Sequence, residues 1–170
     1  MFPYVYQENT QGLVRGLIFS FGIIIVVIGV TLRSVRFGLI SVVPNVVPFL
    51  LAYGVLSIFT KVVTFSHTVA ILIAIGLVVD ATIHFLTKFK KANSMNLSPY
   101  DAIQYCYKYV GYPIIVASVC LFSGFLFLIQ SSFQTNYVLG GMCALIILLA
   151  LVIDLLLLPS LLLIFGNKSR

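Results

Sequence analysis

Five long apolar runs constrain this chain more than any other feature of its sequence. They cover residues 13–32, 39–59, 68–87, 113–130 and 137–164. A helix needs about 20 apolar residues to cross the hydrocarbon core of a bilayer. Lipid offers no hydrogen bonds to the backbone, so a spanning segment of this length is best satisfied as a helix. We therefore predict an all-α membrane protein, a polytopic bundle of five transmembrane helices forming a single transmembrane domain over residues 1–170.

The charged residues fit that class and exclude a nucleic-acid-binding domain. Only 8% of the residues are charged, against about 25% in soluble domains. The net charge of +6 comes from basic residues that lie between apolar runs rather than on one face of a soluble domain. The three cysteines are widely spaced and form no metal-binding pattern. We predict no metal, no cofactor and no nucleic-acid partner.

The distribution of basic residues predicts the orientation of the bundle. Of the ten Lys and Arg residues, all but Arg15 and Lys61 fall in the loops 33–38 and 88–112 or in the C-terminal tail. Loops rich in Lys and Arg stay on the cytoplasmic side. The prediction is an N-outside, C-inside topology in the cell inner (plasma) membrane.

The cytoplasmic loop 88–112 contains its own helix signal. Ser98 is a suitable N-cap, Pro99 suits the first helical position and Asp101 suits the first turn. Gly111 is a natural stop. We expect a short amphipathic helix along the cytoplasmic surface, either as a linker or with a regulatory role.

The stretch "IGLVVDATIHFL", residues 75–86, carries an acid in the third run. An Asp at the centre of a spanning helix costs about 3 kcal/mol, and such residues commonly mark proton or ion routes. Asp80 and His84 are four residues apart and share a helix face. Gly76 precedes them on this face and Thr87 follows. A carboxylate and an imidazole one turn apart can pass a proton, and we expect this face to point into a bundle or a wet cavity. The alternative is a structural contact between helices.

Two other polar positions lie inside predicted spans. Asp154 falls in the inner half of the fifth run, where it is either functional or an anchor for the helix end. Asn45 lies between Pro44 and Pro48 in "PNVVP", where the prolines remove backbone donors. Such a helix either lines a site or is simply kinked.

Several stretches together resemble the C-terminal membrane half of the resistance–nodulation–division (RND) superfamily, and within it the MmpL/HpnN-like or sterol-sensing-like branch. The matching stretches are "LRSVRFGLISVVPNVVP" at 32–48, "IGLVVDATIHFL" at 75–86, "SSF" at 131–133 and "DLLLLPSLL" at 154–162. The resemblance implies a secondary active transporter component rather than an enzyme. It implies proton-motive-force-driven export of lipids or other hydrophobic molecules. By the same resemblance, Asp80 and His84 match the acid of the family's proton relay and the histidine that follows it. We expect Gly76, Thr87, Asp154 and Asn45 to support this relay.

The resemblance also implies partners. A complete transporter of this superfamily has two membrane halves and large extracytoplasmic domains. We therefore expect this chain to be a fragment or split portion, joined in the bilayer by an N-terminal transporter half or by a second copy, and acting on a hydrophobic substrate.

Two other functions are open at this point. One is a non-catalytic membrane interaction or lipid-sensing module, or an inactive truncated remnant. The other is an intramembrane aspartyl protease, since Asp80 and Asp154 provide two acids within the membrane.

Overall fold

The computed structural model describes residues 2–59 and 65–165, and every regular element it describes is a helix. The elements are α1 (Phe2–Thr31), α2 (Val35–Phe59), α3 (Phe65–Ser94), α4 (Pro99–Cys106), a π-helical turn (Tyr107–Gly111), α5 (Tyr112–Ile129) and α6 (Gln134–Phe165). This confirms the predicted all-α fold class.

A helix lies at each of the five predicted spans. Four helical segments are long and apolar enough to cross a membrane, and they lie in α2, in α3, in the continuous helix from α4 to α5, and in α6. In α1 the apolar segment that the structure describes is shorter, Phe19–Thr31. The architecture is therefore that of a polytopic helical membrane protein. The N-outside, C-inside orientation stays a prediction. Three of the basic residues used for it, Lys61, Lys168 and Arg170, lie outside the described residues.

The turn between α1 and α2 is held to the far end of α3. Arg33 has a positive φ of 45°, as expected for the residue that ends a helix in a Schellman motif. The amide of Ser34 donates to the carbonyl of Gly29 at 3.0 Å, which closes that motif. The Lys90 ammonium group donates to the carbonyl of Leu32, where a cation offsets the negative end of the α1 dipole. This contact places the loops 33–38 and 88–112 on the same side of the bundle, as their shared positive charge predicts.

The predicted surface helix begins as expected but does not end where expected. The Ser98 hydroxyl accepts a hydrogen bond from the amide of Asp101 at 3.2 Å, so it is the N-cap of α4. Gly111, however, has the helical angles φ −59° and ψ −52°. The predicted stop at Gly111 is therefore wrong, because the chain continues without a break from α4 through the π-helical turn into α5.

The π-helical turn lies directly before Pro113. Proline lacks an N–H group, and its ring clashes with the carbonyl four residues earlier in a regular α-helix. A wider π turn provides the extra space. One helical rod thus connects the loop 88–112 to the span that contains α5, with Ala102, Ile103 and Cys106 buried on its inner side.

Helix α6 packs against α2, α3 and α5 and is the centre of the bundle. It comes close to α5 at Gly140. A Cβ atom at Gly140 would lie 2.7 Å from the Leu128 Cβ and 2.7 Å from the Phe125 carbonyl oxygen. Small residues in spanning helices allow such close packing.

The prolines leave their helices continuous. Pro44 and Pro48 lie inside α2, and Pro159 lies inside α6. Helix α2 remains a single helix from Val35 to Phe59 through the "PNVVP" segment.

Candidate functional site

The face of α3 that carries Asp80 points out of the bundle. The Asp80 and His84 side chains are 74% and 63% exposed, and His84 Nε2 lies 3.5 Å from Asp80 Oδ1. Gly76 and Thr87 are exposed on the same face. We name these four residues the α3 polar stripe. The structure confirms that they share a face, but it places that face at the outside of this bundle rather than in its interior.

A groove runs beside the α3 polar stripe, between α3 and the helical rod that contains α5. Its volume is about 220 Å³. Asp80 and His84 line one wall, while Pro113 and Ser118 belong to the other. The rest of the lining is apolar, so the carboxylate and the imidazole are the ionisable groups of this groove. Because the wall across from them starts at the π-helical turn, the extra residue of that turn shapes the groove.

A second polar group is buried on the opposite side of α3. The Thr82 hydroxyl oxygen lies 3.0 Å from Asp154 Oδ1 and 3.4 Å from Asn45 Oδ1. The Asn45 amide nitrogen donates to the Ser41 carbonyl at 2.7 Å. All four residues are at most 2% exposed. We name Ser41, Asn45, Thr82 and Asp154 the buried polar cluster. It joins α2, α3 and α6.

The buried polar cluster lies where two apolar cores meet. One core takes its α3 and α6 residues from positions up to Val78 and Ala150. The other takes them from Val79 and Leu158 onwards. A polar group held between apolar layers must find its hydrogen bonds inside the protein, because water does not reach it freely. The cluster therefore fixes the three helices in one register.

The predicted site residues divide between these two places. Asp80 and His84 meet each other in the groove, and Asn45 and Asp154 meet through Thr82. Gly76 has no atom within 4 Å of the position that its Cβ would take, among the residues described. The Thr87 hydroxyl donates to the Ile83 carbonyl of its own helix at 2.7 Å. This bond joins Thr87 neither to Asp80 and His84 nor to the buried polar cluster.

Sequence reasoning missed Thr82 and Ser41 as members of the site. A signal was present for both. Ser41 and Asn45 are four residues apart on α2, so they share a helix face. Thr82 is two residues from Asp80 and must lie on another face of α3. Only the packing of α6 against that face shows that Thr82 meets Asp154.

The two membrane acids do not form one site. Asp80 pairs with an imidazole in the groove, and Asp154 contacts a hydroxyl in the buried polar cluster. A two-carboxylate protease needs both acids at one centre, so this arrangement disfavours that hypothesis. Within the described residues, no group of three or more His, Cys, Asp or Glu side chains is placed to hold a metal ion.

Comparison with known proteins agrees with a membrane protein of this class. The family model described as the MMPL family matches residues 6–170. No curated protein matches the chain. The match covers the α3 polar stripe, the groove and the buried polar cluster together. It points to an RND-type, transporter-like membrane domain rather than to an enzyme, in a multi-pass protein whose apolar helices contact the lipid bilayer. The resemblance inferred from residues 32–48, 75–86, 131–133 and 154–162 is thereby confirmed, and the chain belongs to the MMPL family.

Proposed function

We propose that this chain is the C-terminal membrane portion of a proton-motive-force-driven exporter of lipids or other hydrophobic molecules in the inner (plasma) membrane. Asp80 is the residue that binds and releases the proton, and His84 is its partner in the relay. The observation that carries this proposal is the position of Asp80 and His84, 3.5 Å apart, on an outward face of a membrane-spanning helix.

The cost of that position supports a functional role. An ionised Asp facing lipid near the middle of a span costs about 3 kcal/mol on insertion scales. The bundle that the structure describes does not recover this cost, because the Asp80 side chain is 74% exposed. A group of this kind needs either a water-filled path or a further polar helix against it. Both are properties of a proton pathway.

The α3 polar stripe also supports a partner in the bilayer. We propose that the N-terminal membrane half of the transporter packs against Gly76, Asp80, His84 and Thr87. Gly76 has open space above it, and a glycine in a spanning helix lets another helix approach closely. The groove between α3 and α5 would then lie inside the assembled protein. A second copy of this chain at the same face is the other outcome that a cross-linking experiment can detect.

The test is efflux of the lipophilic dye Nile red from energised cells that supply the N-terminal membrane half and lack only this chain, complemented with the chain or its variants. We expect wild-type chain to restore efflux, a protonophore to abolish it, and Asp80→Asn to reduce it to the level of the deletion strain. The Asn side chain keeps the size of Asp but cannot bind and release the proton. Asp101→Asn is the matched control, because Asp101 lies at the start of α4 in the loop.

Two results would count against the proposal. Unchanged efflux in Asp80→Asn contradicts the proton role of this residue. Efflux that is equal with and without the wild-type chain contradicts transport and favours the membrane interaction or lipid-sensing module, or an inactive remnant.

A further inference from the structure

The buried polar cluster has fewer hydrogen-bond donors than its geometry requires when Asp154 is ionised. A hydroxyl group carries one proton, yet the Thr82 oxygen lies within reach of two acceptors, Asp154 Oδ1 at 3.0 Å and Asn45 Oδ1 at 3.4 Å. Thr82 can donate to only one of them at a time. The acceptor that receives no proton, either Asp154 Oδ1 or Asn45 Oδ1, then faces a lone pair of the Thr82 oxygen.

The orientation of the Asn45 amide does not resolve this conflict. The atom of Asn45 that faces the Ser41 carbonyl is 2.7 Å from its oxygen. That atom must be the nitrogen, because two oxygens without a proton between them do not approach so closely. The oxygen of the amide therefore faces Thr82 and needs a donor.

One more proton, on Asp154, satisfies every contact. A protonated carboxyl donates to the Thr82 oxygen, Thr82 donates to Asn45 Oδ1, and Asn45 donates to the Ser41 carbonyl. The chain of hydrogen bonds then runs in one direction from α6 through α3 to α2. With Asp154 ionised, Thr82 turns its proton to Asp154, and the Asn45 oxygen loses its donor.

We propose that Asp154 is a second proton-binding group of this protein, and that its protonation switches the Thr82 hydroxyl between α6 and α2. The chemical step is the binding of one proton from water to the Asp154 carboxylate, which forms one O–H bond and removes one negative charge. The ionised state connects α3 to α6 alone. The protonated state connects α2, α3 and α6.

A route for that proton is present beside Asp154. A small cavity of about 20 Å³ touches Asp154, which is enough for about one water molecule. Four residues line both this cavity and the groove that holds Asp80 and His84. They are Leu77, Ala81, Ser118 and Leu121. The two spaces therefore adjoin along the seam between α3 and α5, and Ser118 provides a hydroxyl group at that seam.

The titratable groups around Asp154 belong to two neighbouring elements. Asp80 and His84 of α3 line the adjoining groove. Tyr107 of the π-helical turn donates to the carbonyl of Leu155, the next residue of α6. Helices α2 and α5 face the cluster and the cavity with side chains that do not titrate. In the part of the chain that the structure describes, none of the other residues lining the cavity carries an ionisable group.

Proton binding at Asp154 can be tested without transport, although its use in export rests on the proposed function. The experiment is infrared spectroscopy of the purified chain in liposomes, in which a protonated carboxyl gives a C=O band apart from those of the backbone. We expect such a band at neutral pH. It should be lost in Asp154→Asn and retained in Asp80→Asn and Asp101→Asn.

The hydrogen bond between Asp154 and Thr82 is tested with a second, matched pair of variants. Thr82→Val removes the acceptor of the Asp154 proton, so the band should shift to higher frequency. Thr87→Val changes the same residue type on the same helix without touching Asp154, so the band should not move. The assignment of the band rests on Asp154→Asn and stands even if Thr82→Val fails to fold, and Thr82→Ser should keep the wild-type frequency.

Two results would overturn the proposal. One is the absence of any band that depends on Asp154 at every pH at which the protein stays folded. The other is a band that keeps its frequency in folded Thr82→Val. Neither result depends on Asp80, so a failure of the proposed export function, seen as unchanged dye efflux in Asp80→Asn, remains separate.

Discussion

The two sides of α3 place a carboxylate in opposite surroundings. On the outer side, Asp80 is 74% exposed and pairs with His84 one turn away on the same helix. On the inner side, Thr82 is fully buried and holds Asp154 of α6, which is 2% exposed. Among the described residues, the ion pair of Asp80 lies within α3 and does not join that helix to another. The inner acid depends on three helices for its surroundings.

This difference separates the two roles that a polar residue can have in a membrane protein. A residue that joins helices contributes to stability, and its loss is measured by unfolding. A residue that faces outward and joins no other helix is expected to contribute to function at an energetic cost, and its loss is measured by activity. Pairs of variants test this contrast, since each pair compares a residue that packs against another helix with a similar residue that does not.

The largest effect on stability is expected at Thr82. Thr82→Val keeps the shape of the side chain but leaves Asp154 and Asn45 without their shared partner. We expect the free energy of unfolding to fall by about 2–3 kcal/mol, because buried polar groups then lack hydrogen bonds. Thr87→Val should change it by less than about 0.5 kcal/mol, since Thr87 is exposed. The measurement is unfolding in detergent with increasing dodecyl sulfate, and equal losses in the two variants would refute the difference between the two sides.

The next effect is expected where α5 and α6 touch. In Gly140→Ala the new Cβ would lie 2.7 Å from Leu128 Cβ and from the Phe125 carbonyl oxygen, so the helices must separate. We expect a loss of about 2 kcal/mol, as for other overpacked sites. Gly141→Ala is the control, because nothing described lies within 4 Å of its Cβ position. A Gly140→Ala protein as stable as Gly141→Ala would mean that the close approach of α5 and α6 is not present in the folded protein.

A smaller contrast is expected between the two acids themselves. Asp154→Ala removes the partner of the Thr82 hydroxyl and leaves a small cavity, which should cost about 1–2 kcal/mol. Asp80→Ala should change the free energy of unfolding by less than about 0.5 kcal/mol, because the side chain is exposed and contacts His84 alone among the described ion pairs. The same unfolding measurement applies. Greater destabilisation by Asp80→Ala than by Asp154→Ala would exchange the roles that we assign to the two residues.

Much of the fold could be predicted from the sequence, because the dominant signal is local. A helix lies at each of the five predicted apolar runs, although α3 continues to Ser94, past the predicted end at residue 87. The Ser98 cap was also readable, since capping depends on neighbours within one turn. The stop at Gly111 was mispredicted because Pro113, two residues later, is accommodated by a π-helical turn rather than by a helix end. Such a turn has no simple sequence signature.

The site was only half predictable for a related reason. Helical spacing placed Asp80 and His84 together, since both lie on one helix. The contact of Thr82 with Asp154 joins residues that are 72 positions apart in the chain. Periodicity assigns a residue to a face, but it does not say which helix packs there. The buried polar cluster could therefore be found only from the packing of α6. The outward direction of Asp80 could be found only from the arrangement of the whole bundle.

The smallest effect is expected at Gly76, and its sign is opposite. Nothing described lies within 4 Å of the Gly76 Cβ position, so Gly76→Ala adds a methyl group in open space. Alanine is favoured over glycine in a helix by about 1 kcal/mol, and the chain alone should become more stable by up to that amount. If a partner helix packs on the α3 polar stripe, the same methyl group should obstruct it. Dye efflux should then fall in Gly76→Ala while stability rises, whereas Gly141→Ala gains stability without losing efflux. Efflux unchanged in Gly76→Ala would argue against a close partner at this face and would leave Asp80 facing a water-filled path instead.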